Sequence, residues 1–391
     1  MKKIFLYLVV LGILLAGCGT GEEHTFSTSG KETTLNIPST TQPHQTSENT
    51  DGDSEDWVEV DTHVFDITSQ IVRPPEYELV DVSLFQRLLF WNNIMTGVVL
   101  AQPFLLPGEA GQPGPQLQAE SSFLTQIYAD ETAVAVIEED YFSHTTTLKI
   151  LNRQQNIPAE SWVLPARTVL GTGEEGLLGI TTENGLQRFW RLNLLEQTTS
   201  ELFQQDMGDV TQIPAILSAA EGASGIAFTG LIAPSAGETT LQCYGLMDKS
   251  GNVVQLHIMP ELEAAPYQGG LVLYDSMQAF GGQADKFHCL KICDADQMTI
   301  RDLQLESPEN ETFFHVTVSE TGKFILTRDK SGEKLVYRVY DTDENRMIAK
   351  YEDCSRITDC TRVLVSISEA DRAFGVLSAG NDSLEWLYYT F

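Results

Sequence analysis

The chain has 391 residues and a formal net charge of −31, with 24 Lys and Arg against 55 Asp and Glu. Acidity on that scale repels phosphate backbones, so nucleic acid is excluded as a partner, and anionic lipid headgroups repel the folded part as well. The excess of carboxylates keeps the protein soluble, or else marks a site for a cation or cationic ligand.

Met1, Lys2 and Lys3 open the chain, and a mostly apolar run follows from Ile4 to Leu15. About 12 residues are too few to cross a hydrocarbon core of about 30 Å as a helix. A basic start, a short apolar centre and small residues at the end form the pattern of a secretory signal. The end of this run, Leu15-Ala16-Gly17-Cys18, resembles the lipobox of bacterial lipoproteins. That resemblance implies removal of residues 1–17 and a diacylglycerol thioether on Cys18. It also implies membrane anchoring on the extracytoplasmic face of a bacterial cell. Each buried methylene contributes about 0.8 kcal/mol, and a single chain holds poorly, so a second acyl group on the new N-terminus belongs to the same expectation. Loss of Lys2 and Lys3 takes the formal charge from −31 to −33.

Residues 18–56 hold the lipid-bearing cysteine and a linker rich in Ser, Thr, Glu, Asp and Asn. Such a segment cannot bury enough surface to offset its ordering entropy, so a disordered tether is expected. A flexible coil of about 38 residues spans roughly 35 Å between its ends. The stretch from Asp51 to Asp56 has carboxylates at calcium-loop spacing. Its sixth position is Asp56 rather than Gly and its twelfth Thr62 rather than Glu, so no metal is assigned there.

From Trp57 to Phe391 short apolar and β-branched runs alternate with Gly, Asn, Asp and Glu turns, and no amphipathic helical period stands out. Two markers recur. A strand ending in a polar residue appears at Asn152, Asn193, Asp248, Asp294 and Asp341, with steps of 41, 55, 46 and 47. An acidic or Gly-rich turn opens a strand at Asp130-Glu131, Glu174-Glu175-Gly176, Glu221-Gly222, Gln268-Gly269, Glu320-Thr321-Gly322 and Glu369-Ala370-Asp371. A period of 40 to 50 holding four strands is the signature of a propeller blade.

The clearest unit runs from Phe313 to Tyr351, with strands at 314–318, 323–328, 335–340 and 347–351. Dividing 57–391 by this period predicts an all-β propeller of seven four-stranded blades. The last blade then lacks one strand, and Trp57–Phe65 is the segment expected to supply it and remove an open edge. This periodicity resembles bacterial β-propeller repeat proteins, with Phe189-Trp190-Arg191-Leu192-Asn193 as a third strand and turn. No Trp-Asp or Gly-His marks assign a subfamily, and the Gly281-Gly282 pair is not repeated. A pair of β-sandwiches is the alternative fold.

Chemistry is harder to find. After Cys18, five cysteines remain: Cys243, Cys289, Cys293, Cys354 and Cys360. An odd count is no disulfide framework, and only Cys354 with Cys360 is a candidate pair. Cys289 and Cys293, four apart on a strand, lie about 13 Å from each other and cannot bond. They and Cys243 are expected to be small buried residues. His24 and His44 fall in the linker, and His63, His144, His257, His288 and His315 are isolated along the chain. Gly171-Thr172-Gly173-Glu174-Glu175-Gly176 matches a dinucleotide-loop string but precedes a strand, which removes the phosphate cradle. Glu138-Glu139-Asp140 and Asp341-Thr342-Asp343-Glu344 are neighbours in turns, not carboxylates opposed across a substrate. Asn310-Glu311-Thr312 matches a glycosylation acceptor, which has no meaning in an ordinary bacterial context.

The Pro- and Gly-rich loop from Pro107 to Pro115 breaks the repeat and is the best binding element in the sequence. The reading that follows is a lipid-anchored extracytoplasmic binding or scaffold protein for a protein, peptide or glycan. No cofactor, metal or catalytic residue is assigned. A hydrolase or lactonase with its site on the propeller axis, and a sensory accessory of a membrane signalling system, are the competing readings.

Overall fold

Runs such as Leu88-Leu89-Phe90-Trp91 and Phe374-Gly375-Val376-Leu377 are apolar at successive positions, as strands buried on both faces must be. In the computed structural model the described residues are 33–34 and 64–391, the latter apart from 94, 107, 115, 121–123, 131–132, 141–144, 154–159, 165–167, 208–213, 234–239, 259–261, 276–289, 304–312, 332–333, 353–361 and 381–382. The lipobox with Cys18, the linker, Cys289, and Cys354 with Cys360 lie outside them. So do His24, His44, His63, His144 and His288, the Gly281-Gly282 pair and the Asn310 acceptor. The chain divides into residues 1–33 and 34–391, and the second unit is described here.

Its strands form antiparallel four-strand meanders, numbered 1 to 7 in chain order. Meander 1 comprises Glu78–Ser83, Leu88–Asn93, Val98–Pro103 and Leu117–Glu120. Meander 2 comprises Leu124–Ala129, Ala133–Asp140, Thr145–Asn152 and Glu160–Leu164. Meander 3 runs from Thr168–Gly173 to Thr198–Asp206, and meander 4 from Ala215–Glu221 to Val253–Ile258. Meander 5 runs from Leu262–Tyr267 to Thr299–Asp302, and meander 6 from Phe313–Val318 to Arg346–Glu352. Meander 7 has Arg362–Ser368, Ala373–Ala379 and Leu384–Thr390, and Val64–Asp66 is its fourth strand, pairing antiparallel with Leu387 to Tyr389.

The fold is a β-propeller, with one correction to the seven separate blades expected. Five four-stranded sheets stand apart, whereas meanders 3 and 4 run on as one sheet through a parallel bridge between Thr172 and Ala220. The cause lies at Gly171: a Cβ there would sit 2.0 Å from the Ala219 carbonyl oxygen, so only a glycine lets the two first strands approach this closely. The Gly-rich string at 171–176 thus serves sheet packing.

Packing closes the ring. Six apolar cores each join two successive meanders, and a seventh joins meander 7 to meander 1 through Trp386, Leu377, Trp91 and Phe104. Alternation along each strand serves two seams at once: Phe374 and Val376 face meander 6, while Ala373 and Leu377 face meander 1. First strands of successive meanders lie against each other, as 362–368 does against 78–83 and 313–318 against 362–368.

Both sequence markers have a structural origin. The polar residues Asn152, Asn193, Asp248, Asp294 and Asp341 each end a third strand. The Asp294 Oδ1 accepts the N–H groups of Asp296 and Gln297, and Asp341 Oδ1 those of Asp343 and Glu344. Asp248 and Asn193 make equivalent turns. The acidic markers are the turns between first and second strands. In an antiparallel meander, first-to-second and third-to-fourth turns emerge at the same end, so both markers map to one face of the ring.

Candidate functional site

On that turn face, between meanders 1 and 2, lies a cleft of about 500 Å³. Its floor and walls come from Leu88 and Leu117, both part of the apolar core shared with meander 2, and from Pro103, Phe104 and Leu105. The long third-to-fourth connection of meander 1 supplies Glu109, Ala110, Pro113 and Gly114. This is the Pro- and Gly-rich loop singled out in the sequence. Arg87 and Arg153 complete the lining.

Arg87 ends the first turn of meander 1 with φ +57°, and its carbonyl accepts the Phe104 N–H at 3.1 Å, which pins the start of the loop. Its guanidinium holds three groups. Nη1 donates to the Leu84 carbonyl, Nη2 to Asp371 Oδ1 at 2.7 Å, and Nε to Glu109 Oε1 at 3.0 Å. Burial alone would lower the Arg87 pKa, but Asp371 and then Glu109 outweigh it and hold the group above its ordinary value. The side chain therefore stays cationic at physiological pH. Glu109 is further fixed by its Oε2, which accepts the Leu106 N–H at 2.6 Å. Arg153 follows Asn152 at the end of a third strand, and donates to Gln86 Oε1, the Gln86 carbonyl and the Asp130 carbonyl. Two meanders thus contribute one guanidinium each to the cleft.

Two other carboxylates of this face serve the seams. Glu221 is fully buried and receives Arg191 Nε at 2.8 Å and Lys249 Nζ at 2.8 Å. Burial pushes its carboxyl up, and these two cations overbalance it and hold it below the ordinary range. At the seam of meanders 6 and 7, Glu320 Oε2 accepts the Glu369 N–H at 3.0 Å. Burial, with the charges of Glu369 and Asp371, raises the Glu320 carboxyl. Across the ring's turn face, Thr172 Oγ1 donates to the Tyr267 carbonyl at 2.9 Å.

Of the histidines, His257 stacks on Tyr244 with centroids 5.1 Å apart, on the fourth strand of meander 4, and His315 lies on the first strand of meander 6. Cys243 and Cys293 are buried free thiols, and desolvation pushes the Cys243 thiol up to about 12. Among the described residues no group of three His, Cys, Asp or Glu is placed to hold a metal ion. No helix among them is long and apolar enough to cross a membrane. Sequence reasoning found the loop but missed Arg87 and Arg153. Their only local signal is position, each directly beside a turn that belongs to the repeat.

No protein-family model matches the chain, and no curated protein matches it. Among solved structures the chain is similar to the β-propeller domain of the Trilobed protease from Pyrococcus furiosus, with 12 % identity over 68 % of this chain and 80 % of that one and a TM-score of 0.42. It is similar to the Pyrococcus horikoshii acylaminoacyl peptidase at 9 % identity, covering 68 % of this chain but only 44 % of the peptidase, with a TM-score of 0.45. It is also similar to the Myceliophteria thermophila Cps50 (Swd1) β-propeller domain at 8 % identity, over 84 % of this chain and 99 % of that one, with a TM-score of 0.47. No site residue carries over from them.

Proposed function

We propose that the protein is a lipid-anchored binding protein of the bacterial extracytoplasmic face, and that its ligand seats in the meander 1 cleft. The observation that carries this reading is the cleft itself: a concave, largely apolar site of about 500 Å³ with two guanidinium groups, on a protein of net charge −31. Its walls stand on a ring packed on both sides, which holds the site in shape before a ligand arrives. The ligand is a small molecule or the end of a peptide or glycan, since the volume admits no larger body. Cys18 carries the anchor and residues 19–56 the tether.

A plug tests the site. Gly114 has no left-handed backbone, and a Cβ there meets only Pro103 Cγ at 3.8 Å, so the backbone accepts a side chain and Gly114→Trp is expected to project its indole into the cleft that Gly114 lines. Saturation-transfer NMR with a fragment library of mixed charge is expected to give hits on the wild type that vanish in Gly114→Trp at unchanged melting temperature. Hits that survive the plug place binding elsewhere. For the anchor, Cys18→Ser is expected to leave the protein unprocessed or released into the medium, and normal lipid labelling of that variant would refute the assignment.

A further inference from the structure

We infer that the cleft recognises a carboxylate carried on a short apolar body, and that Glu109 holds the carboxylate position in the ligand-free protein. This deepens the reading above and rests on it. The chemistry the cleft accepts is already displayed inside it: Arg87 Nε and Nη2 both sit 3.0 Å from Glu109 Oε1. The pair is reachable from solvent, with side-chain exposures of 22 % for Arg87 and 35 % for Glu109.

The two partners are held very differently. Arg87 keeps the Leu84 carbonyl and Asp371 when Glu109 departs, so its fork remains in place as an anion site. Glu109 is held, besides Arg87, only within its own loop, through the Leu106 N–H and carbonyl, and it sits between Gly108 at φ +91° and Gly111 at φ +120°, where a Cβ at either glycine would meet nothing within 4 Å. Both glycines occupy left-handed backbone with open space around them, which is where a loop can swing without collision. An incoming carboxylate therefore exchanges with Glu109 rather than adding to it. One anion replaces another at Arg87, the exchange gives up the Leu106 N–H bond to Glu109 Oε2, and net affinity comes from apolar surface set against Leu88, Phe104 and Pro113. A free acid and a peptide C-terminus offer the same chemistry.

The test uses the full-length mature protein and matched probes. Isothermal titration compares 4-phenylbutyrate with 4-phenylbutyramide, and alanyl-phenylalanine with its C-terminal amide. At least one acid is expected to bind at least ten-fold more tightly than its amide. Glu109→Gln, which removes the internal competitor from an exposed loop, is expected to tighten that acid at least three-fold, and Gly114→Trp to abolish binding. The acid that binds identifies the source: the phenyl acid alone points to free acids, the dipeptide to peptide termini. Equal binding of acid and amide overturns the inference and leaves the cleft reading standing. So does an acid affinity that Glu109→Gln leaves unchanged or weakens, and so does a cleft that binds library fragments but neither acid. Absence of any plug-sensitive fragment overturns the cleft reading itself.

Discussion

Glu221 and Glu320 stand at comparable turns of the repeat, yet their charges act on stability with opposite sign. Burial pushes both carboxyls up, but Glu221 has Arg191 and Lys249 within hydrogen-bond reach, and its pKa falls below the ordinary value of 4.5. A depressed carboxyl contributes stability that is present above 4.5 and lost as pH falls through the folded value. Glu221→Gln leaves the part-exposed Arg191 and Lys249 with Glu174 as their remaining carboxylate, and the loss of two charge-assisted hydrogen bonds is expected to cost about 2 kcal/mol at pH 7. Urea midpoints measured from pH 7 to pH 3 should show the gap to wild type closing below pH 4.5. A gap that stays constant would mean that charge is not what Glu221 contributes. Glu320 has only N–H donors and faces Glu369 and Asp371, so its carboxyl lies above 4.5. Its ionised form costs stability, and that cost sets in as pH rises through the folded value. Glu320→Gln is therefore expected to raise the melting temperature at pH 7 and to leave it unchanged at pH 3. A lower melting temperature at pH 7 would refute the assignment.

At the scale of strands, the close approach of meanders 3 and 4 depends on one missing methyl group. Gly171→Ala would place its Cβ 2.0 Å from the Ala219 oxygen, a backbone atom with no rotamer to yield. Overpacking of this kind costs about 2 kcal/mol, and the strands must part to relieve it. Hydrogen exchange should show faster exchange around Thr172 and Ala220, and unchanged protection there would show that the bridge does not need the glycine. The contact also marks the boundary of what the chain pattern reveals. The four strands of meander 6 were readable to within a few residues, because alternation and Asp-led turns are local physics acting between neighbours. The repeating Asn and Asp markers were readable for the same reason: the Asn193, Asp248, Asp294 and Asp341 side chains accept N–H groups a few positions onward. Gly171 meets Ala219 48 positions away, and nothing near either residue announces it. The cleft divides along the same line. Its loop shows through its prolines and glycines, but Arg87 and Arg153 come from different meanders, 66 positions apart, and only the ring brings them together.

At the scale of the molecule, the ring is held shut at one place by the chain that enters it. Val64–Asp66 covers the outer edge of Leu384–Thr390, although Val64 and Phe65 are the only described residues of the segment 57–65 expected to do so. The next residues tighten the seal. The Ile67 N–H donates to the Trp386 carbonyl at 3.0 Å, and Thr68 Oγ1 accepts the Trp386 N–H at 2.9 Å. The Ile67 side chain, 2 % exposed, enters the core that joins meander 7 to meander 1. The chain crosses that seam only from Val64–Asp66 onward, and this strand is itself held to the last one by pairing, so the closure rests on strand pairing and packing. Ile67→Ala is expected to cost about 3 kcal/mol through the cavity it leaves. Deleting residues 57–67 removes that anchor and a whole strand, exposing an edge that other chains can pair with. The deletion should lower the melting temperature sharply and produce concentration-dependent association. A deletion variant that melts like the wild type and stays monomeric would mean that the ring holds without its first strand.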